Sequence, residues 1–291
     1  MNEVLQLKGK FKQKSNNSKP GSPNLPVGTE VKVEHLEKLQ KELEKIEIFW
    51  NKEKLFKGIL LSIIYNNIVA KSNRVSGFLS KGSFTANSSI VGAKFSDGEK
   101  KRHIITHYIS KEIFKNTIIK LKNTIEILKL EYKGIITSEE VKNINDTKQS
   151  FEKYNIARTS FLQMVVDSHY IDRISIPENE GKYDETSIIS IYKTDGNTSN
   201  DTIELMKKIG IDIFSANLID ETTMLLKPDE IILLKEKAPY LISMATEDIS
   251  KLTKEDFAKE ENDSIITIPS PNNEPIIGVI DTMFYERSLF F

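Results

Sequence analysis

The chain has 291 residues, 38% of them hydrophobic and 29% charged, with a formal net charge of -1, so it carries enough apolar material for a sizeable core but no overall field to draw it onto nucleic acid or an anionic membrane. The absence of cysteine excludes disulfides, a thiol nucleophile and cysteine-zinc sites. Met1 to Gly9 lacks an apolar signal core, and no stretch approaches the roughly 18 apolar residues of a membrane span, so a cytoplasmic protein of two or three modules is expected.

Residues 7–28, LKGKFKQKSNNSKPGSPNLPVG, mix lysines with Asn, Ser, Pro and Gly and cannot bury enough surface to offset chain entropy. Residues 1–30 read as a basic flexible arm, either a docking segment for an acidic partner or a solubilising tail. From Val33 onward, Leu36, Leu39, Leu43 and Ile46 recur at helical spacing and predict an amphipathic helix ending near Phe49-Trp50. The uncharged, β-branched run Gly58 to Ala70 predicts a buried strand or hairpin, followed by a Ser/Gly-rich stretch to Ser89. Ile90 to Phe95 and Arg102 to Ile109 are expected to pair across Ser96-Asp97-Gly98, since Asp-Gly takes the positive φ of a tight hairpin. Ser110 is a candidate N-cap for a long helix marked by Phe114, Ile118, Leu121, Ile125 and Leu128. Weaker helical patterns cover residues 138–144 and 158–171. Residues 31–180 are thus a mixed α/β module whose strand order the pattern leaves open.

The next module spans residues 185–246. Ile188 to Lys193 alternates as a strand. Ser199 is placed as the cap of a helix whose Ile203, Met206 and Ile209 share a face, with Gly210 at its stop. Residues 211–219 and 222–227 read as two strands joined by Asp220-Glu221. Pro228, Asp229 and Glu230 open a second helix, Pro239 closes it, and residues 240–245 form the last strand. The order βαββαβ is that of a ferredoxin-like plait within an α+β fold. Residues 247–275, charged and then proline-rich, form a linker, and Ile276 to Ile280 has the apolar continuity of a buried parallel strand.

That strand ends in Ile277-Gly278-Val279-Ile280-Asp281-Thr282, which sets a carboxylate at a strand's carboxyl edge, where open α/β sheets place their sites. On residues 276–282 the sequence resembles the subtilisin-like serine peptidases (subtilases), whose first catalytic block is an apolar strand running into Asp-Thr-Gly; Met283 departs from the glycine. The resemblance implies that Asp281 orients and stabilises the catalytic imidazole, with Gly278 and Thr282 completing the motif. The plait just upstream resembles the inhibitory, chaperoning propeptide of that family, carried most clearly by residues 227–246, KPDEIILLKEKAPYLISMAT. The long module before it is similar to the N-terminal regions of bacterial subtilases, some of which work beside a separate ATPase, and this implies a possible ATPase partner.

Subtilases order their triad Asp, His, Ser. Only ten residues follow Asp281, none of them histidine, so residues 276–291 are expected to be the truncated start of a catalytic domain. The fragment alone is expected to be inactive in peptide-bond hydrolysis. No cofactor or metal site is expected. His103 and His107 fall on one face of a strand, too far apart to chelate, and read as surface or satisfied histidines; the adjacent Asp167, Ser168 and His169 point apart and cannot relay a proton. Two other readings stand: a non-catalytic adaptor built on residues 30–180 that recruits substrate or a partner, and an unrelated α/β domain in which Asp281 is structural or binds metal.

Overall fold

The computed structural model describes residues 23–70, 74–82, 84–96, 100–178, 186–194 and 198–247. The protein is mixed α/β, with six α-helices and three antiparallel sheets among these residues. Helix α1 (Val33–Lys52) follows directly on strand β1 (Glu30–Lys32), and its apolar stripe, Leu36, Leu39, Leu43, Ile46 and Trp50, is buried throughout, each side chain contributing about 2 kcal/mol of transfer free energy. The sequence placed the arm as far as residue 30. Within it, however, Leu25 is only 6% exposed and Asn145 donates to the Pro23 carbonyl at 2.9 Å, so residues 23–28 belong to the packed body.

Strands β2 (Ile59–Tyr65), β3 (Ile90–Phe95), β4 (His103–Ile109) and β6 (Ile171–Ser175) form an antiparallel sheet in the order β3-β4-β2-β6. The expected β3-β4 pairing is present; its turn at Asp97-Gly98 lies outside the described residues. All seven residues of β2 are buried because both faces are covered. Helix α2 (Lys111–Glu131) starts where expected, with the Ser110 hydroxyl accepting from the Ile113 amide. It packs on α1 and on α4 (Arg158–Tyr170). Strand β5 (Ile135–Thr137) pairs with β1 and leads into α3 (Ser138–Thr147), which opens on a Thr137-Glu140 capping box.

Strands β7 (Ser187–Ile191), β8 (Thr223–Leu226) and β9 (Ile242–Glu247) make a third sheet in the order β8-β7-β9, with helices α5 (Ser199–Ile209) and α6 (Pro228–Lys237) in the connections. Along β7, Ser187, Ile189 and Ile191 are buried while Ile188 and Ser190 are half-exposed, the alternation of a sheet covered more fully on one face. The expected strand 211–219 does not form. Ser215–Asn217 is a 3-10 turn, and only Leu218 bridges to Met224. Asn217 and Asp220 explain this, since their side chains accept backbone amides of Phe214, Thr222 and Thr223 and offer the chain local partners in place of a ladder. The last strand begins at Ile242 rather than 240, because Pro239–Leu241 forms another 3-10 turn.

One hydrophobic core runs through both expected modules, and all the described residues belong to one compact unit. Tyr240, from the end of the second module, sits among Phe49, Trp50 and Phe56 with ring centroids 5.5, 5.2 and 6.5 Å away. Tyr192 lies over Gly92 of β3, where an added Cβ would come within 2.4 Å of its ring, and its hydroxyl receives a hydrogen bond from Thr106 at 3.4 Å. The residue-180 boundary seen in the sequence is therefore a connection in the chain and not a break in the core.

Candidate functional site

Asp281, Gly278 and Thr282, the site residues indicated by the sequence, lie outside the described residues. Within them, the densest convergence of polar groups surrounds the Ser/Gly-rich segment between β2 and β3. The Asp167 carboxylate, on α4 and 4% exposed as a residue, accepts the amides of Ser76, Gly77 and Phe78 at 2.9, 3.0 and 2.9 Å. Three successive N–H groups on one anion are the arrangement of an anion-binding nest, here filled by the protein's own side chain. From α2, Lys120 Nζ donates to the Gly77 and Ser80 carbonyls at 2.5 and 2.9 Å, Asn116 to Ser80 at 3.2 Å and Thr117 to Phe78 at 2.7 Å. Gly77 has no room for a Cβ, which would meet the Gln163 side chain at 2.3 Å. The segment is thus clamped between α2 and α4.

Burial sets the electrostatics of the clamp. It raises the Asp167 carboxyl to about 6 against the opposing pull of the three amides, and lowers the Lys120 ammonium to about 8, opposed by the charge of Asp167. Tyr65, which accepts the Val75 amide at 3.0 Å, is likewise pushed up to about 12. Beside the clamp opens a cleft of about 810 Å³, lined by Lys120, Asn116, Asn87, Ser160 and Gln163 among others, within the range of small-ligand sites. A second hollow of about 350 Å³ lies between Lys54–Lys57 and α5, where lysines 54, 57, 193 and 208 are interspersed with Asp201 and Glu204.

Neither hollow assembles a nucleophile with an accessible base. Ser89 and His107 approach to 2.9 Å, yet they are 3% and 1% exposed and the Ser89 hydroxyl donates to the Ala86 carbonyl, so no substrate reaches the pair. Expected as a surface or satisfied group, His107 is instead enclosed, its Nε2 is without a partner among the described residues, and burial lowers it to about 4. The 86–89 turn that covers it comes from a different stretch of chain, which strand alternation does not reveal. His103 is satisfied, accepting the Val69 amide at 3.0 Å. Asp167, Ser168 and His169 form no relay among the described residues: the Asp167 carboxylate is engaged by residues 76–78, and the Ser168 hydroxyl is buried without a partner there. Among the described residues no group of three His, Asp or Glu side chains could hold a metal ion, and no helix is long and apolar enough to cross a membrane.

The clamp's trace in the sequence is a Ser/Gly-rich run, which reads equally as a loop. No family model matches the chain, and no curated protein or solved structure is significantly similar to it.

Proposed function

We propose that this chain is the N-terminal part of a subtilisin-like serine endopeptidase, in which residues 185–246 serve as a propeptide-like chaperone and inhibitor and Asp281 is the acid of an Asp-His-Ser triad. The observation that carries the reading is the arrangement of the third sheet. Its first strand is central, β8 and β9 flank it antiparallel, α5 and α6 form the connections, and the single Leu218–Met224 bridge stands where the hairpin partner of β8 would lie. This arrangement supports a ferredoxin-like βαββαβ plait with one strand reduced. In sequence it precedes the apolar run Ile276 to Ile280 that ends in Asp281-Thr282. In the proposed enzyme the Asp281 carboxylate accepts the imidazole N–H of the catalytic histidine, holds its tautomer and stabilises the imidazolium formed as serine is deprotonated.

The shared core enlarges the proposed inhibitor. Because Tyr240 and Tyr192 complete the packing of the first module, the inhibiting unit is the whole body through residue 247. In the intact peptidase, Asp281→Asn is expected to lower kcat by about 10⁴-fold, and residues 1–249 added in trans to inhibit the mature catalytic domain. Unchanged turnover in the variant, or a longer reading frame without histidine and serine blocks, would refute the assignment. The adaptor reading, with a protein partner such as an ATPase, draws on the open cleft beside Lys120; a partner captured by residues 1–249 under conditions where no peptidase inhibition occurs would favour it.

A further inference from the structure

The cleft beside the clamp is lined by groups of different chemistry. Lys120 of α2 is half-buried in its lining, with the ammonium positioned by the Gly77 and Ser80 carbonyls. An ammonium has three donors. Two are used, and the third has no acceptor among the described residues. Asp167 lies near enough to act on Lys120 through its charge, but its oxygens are engaged by Ser76, Gly77 and Phe78. The other cation in the lining, Lys81, is paired with Glu112.

The walls supply neutral donors, the amides of Asn87, Asn116 and Gln163 and the hydroxyl of Ser160. Ala157 and Ser160 bring the first turn of α4 into the lining, and that 13-residue helix has Ala157 at its N-cap with no side-chain hydrogen bond. Its first amides therefore meet no side-chain cap, and the positive end of its dipole lies along the lining that Lys120 shares. No carboxylate side chain lines the cleft among the described residues. A cation with a spare donor, neutral donors beside it and no competing acid among the described lining residues select for oxygen-rich anions.

We propose that this cleft is a binding site for an anionic oxygen group, a carboxylate or a phosphate, received by the Lys120 ammonium, the lining side-chain amides and the first turn of α4. The assignment is independent of the peptidase reading. The clamp gives it rigidity: Asp167 fixes residues 76–78, the Gly77 and Ser80 carbonyls hold Lys120, and the ammonium is placed before any ligand arrives, which lowers the ordering cost of binding.

The test follows Lys120 directly, by NMR of the ε-methylene carbons in the full chain labelled on lysine, with the exposed Lys115 of the same helix as internal reference. The probes are inorganic phosphate, acetyl-diglycine with its free carboxylate, and acetyl-diglycine amide as the uncharged control, each at about 10 mM, sufficient to occupy a site of millimolar Kd. Either anion is expected to shift the Lys120 resonance saturably and to raise its pKa above about 8, because a bound anion favours the charged amine; the anion that acts at lower concentration identifies the source. Lys115 and the neutral amide should show no such effect. Should neither anion move Lys120, or should the amide move it equally, the site is refuted. Asn87→Leu, on an exposed wall residue outside the clamp, should weaken the response without unfolding the protein, and an unaltered response with both Asn87→Leu and Asn116→Leu would also overturn it.

Discussion

Asp167 and His107 are buried titratable groups pushed in opposite directions, and their opposition shapes the acid response of the fold. The Asp167 carboxyl titrates near 6 in the folded chain against 3.8 when free. Between those values the native state binds a proton that the unfolded chain does not, so this group adds stability as pH falls through the window. His107 behaves in reverse. Held neutral down to about 4 against an ordinary 6.5, it costs stability as pH falls from 6.5, because the unfolded chain gains the proton first. Urea unfolding between pH 4 and 7 should therefore show His107→Leu losing less stability on acidification than the wild type and Asp167→Asn losing more. The latter variant should also be weakened at pH 7 by about 1–3 kcal/mol, since a neutral amide oxygen is a weaker acceptor than the carboxylate oxygen that takes all three backbone donors, and its NH2 cannot accept the Ser76 hydroxyl. Parallel profiles for all three proteins would contradict these assignments.

At the scale of elements, helix starts follow local hydrogen bonding closely enough to distinguish neighbouring residues. Ser199 has the composition of a cap, but Thr198 is the cap: its hydroxyl accepts the Asp201 amide at 3.3 Å while Asp201 accepts the Thr198 amide at 3.0 Å. The reason is legible in the spacing, since Thr-x-x-Asp begins at 198 and supplies both halves of a capping box. Thr198→Ala should cost about 1 kcal/mol and speed hydrogen exchange at the Asp201 amide. Ser199→Ala should stay within about 0.5 kcal/mol of the wild type. At the other end, Gly210 takes φ of 99° and donates to the Met206 and Lys207 carbonyls, the stop that its identity announced.

For the whole molecule, the single tryptophan is a reporter at the seam. Trp50 donates its indole N–H to Leu60 in β2 and touches Tyr240 from the end of α6, so its environment depends on both modules. Trp50 fluorescence and far-UV circular dichroism of residues 1–249 should report one coincident unfolding transition. Residues 185–247 alone should lack a cooperative one. Tyr240→Ala should destabilise the entire body by about 3–5 kcal/mol, as loss of a large buried aromatic does. Two separated transitions would mean that the shared core is not energetically continuous.

Much of the element list was determined by the sequence alone, because hydrophobic period, caps, turns and stops are encoded within a few residues: α1 by Leu36 to Ile46, α2 by Ser110, the β3-β4 pair by the Ser96-Asp97-Gly98 turn between its strands, α6 by Pro228. The same reasoning overran at residues 211–219, which read as a strand joined to the next by Asp220-Glu221, whereas Asn217 and Asp220 capture the backbone locally. Tertiary structure alone decided the strand order, the joining of two modules in one core and the clamp, in which Asp167 meets amides about 90 positions earlier in the chain. Such contacts are set by the path of the chain through space. A buried carboxylate and three amide donors carry no mark of one another until packing removes water from both and leaves each the other's remaining partner.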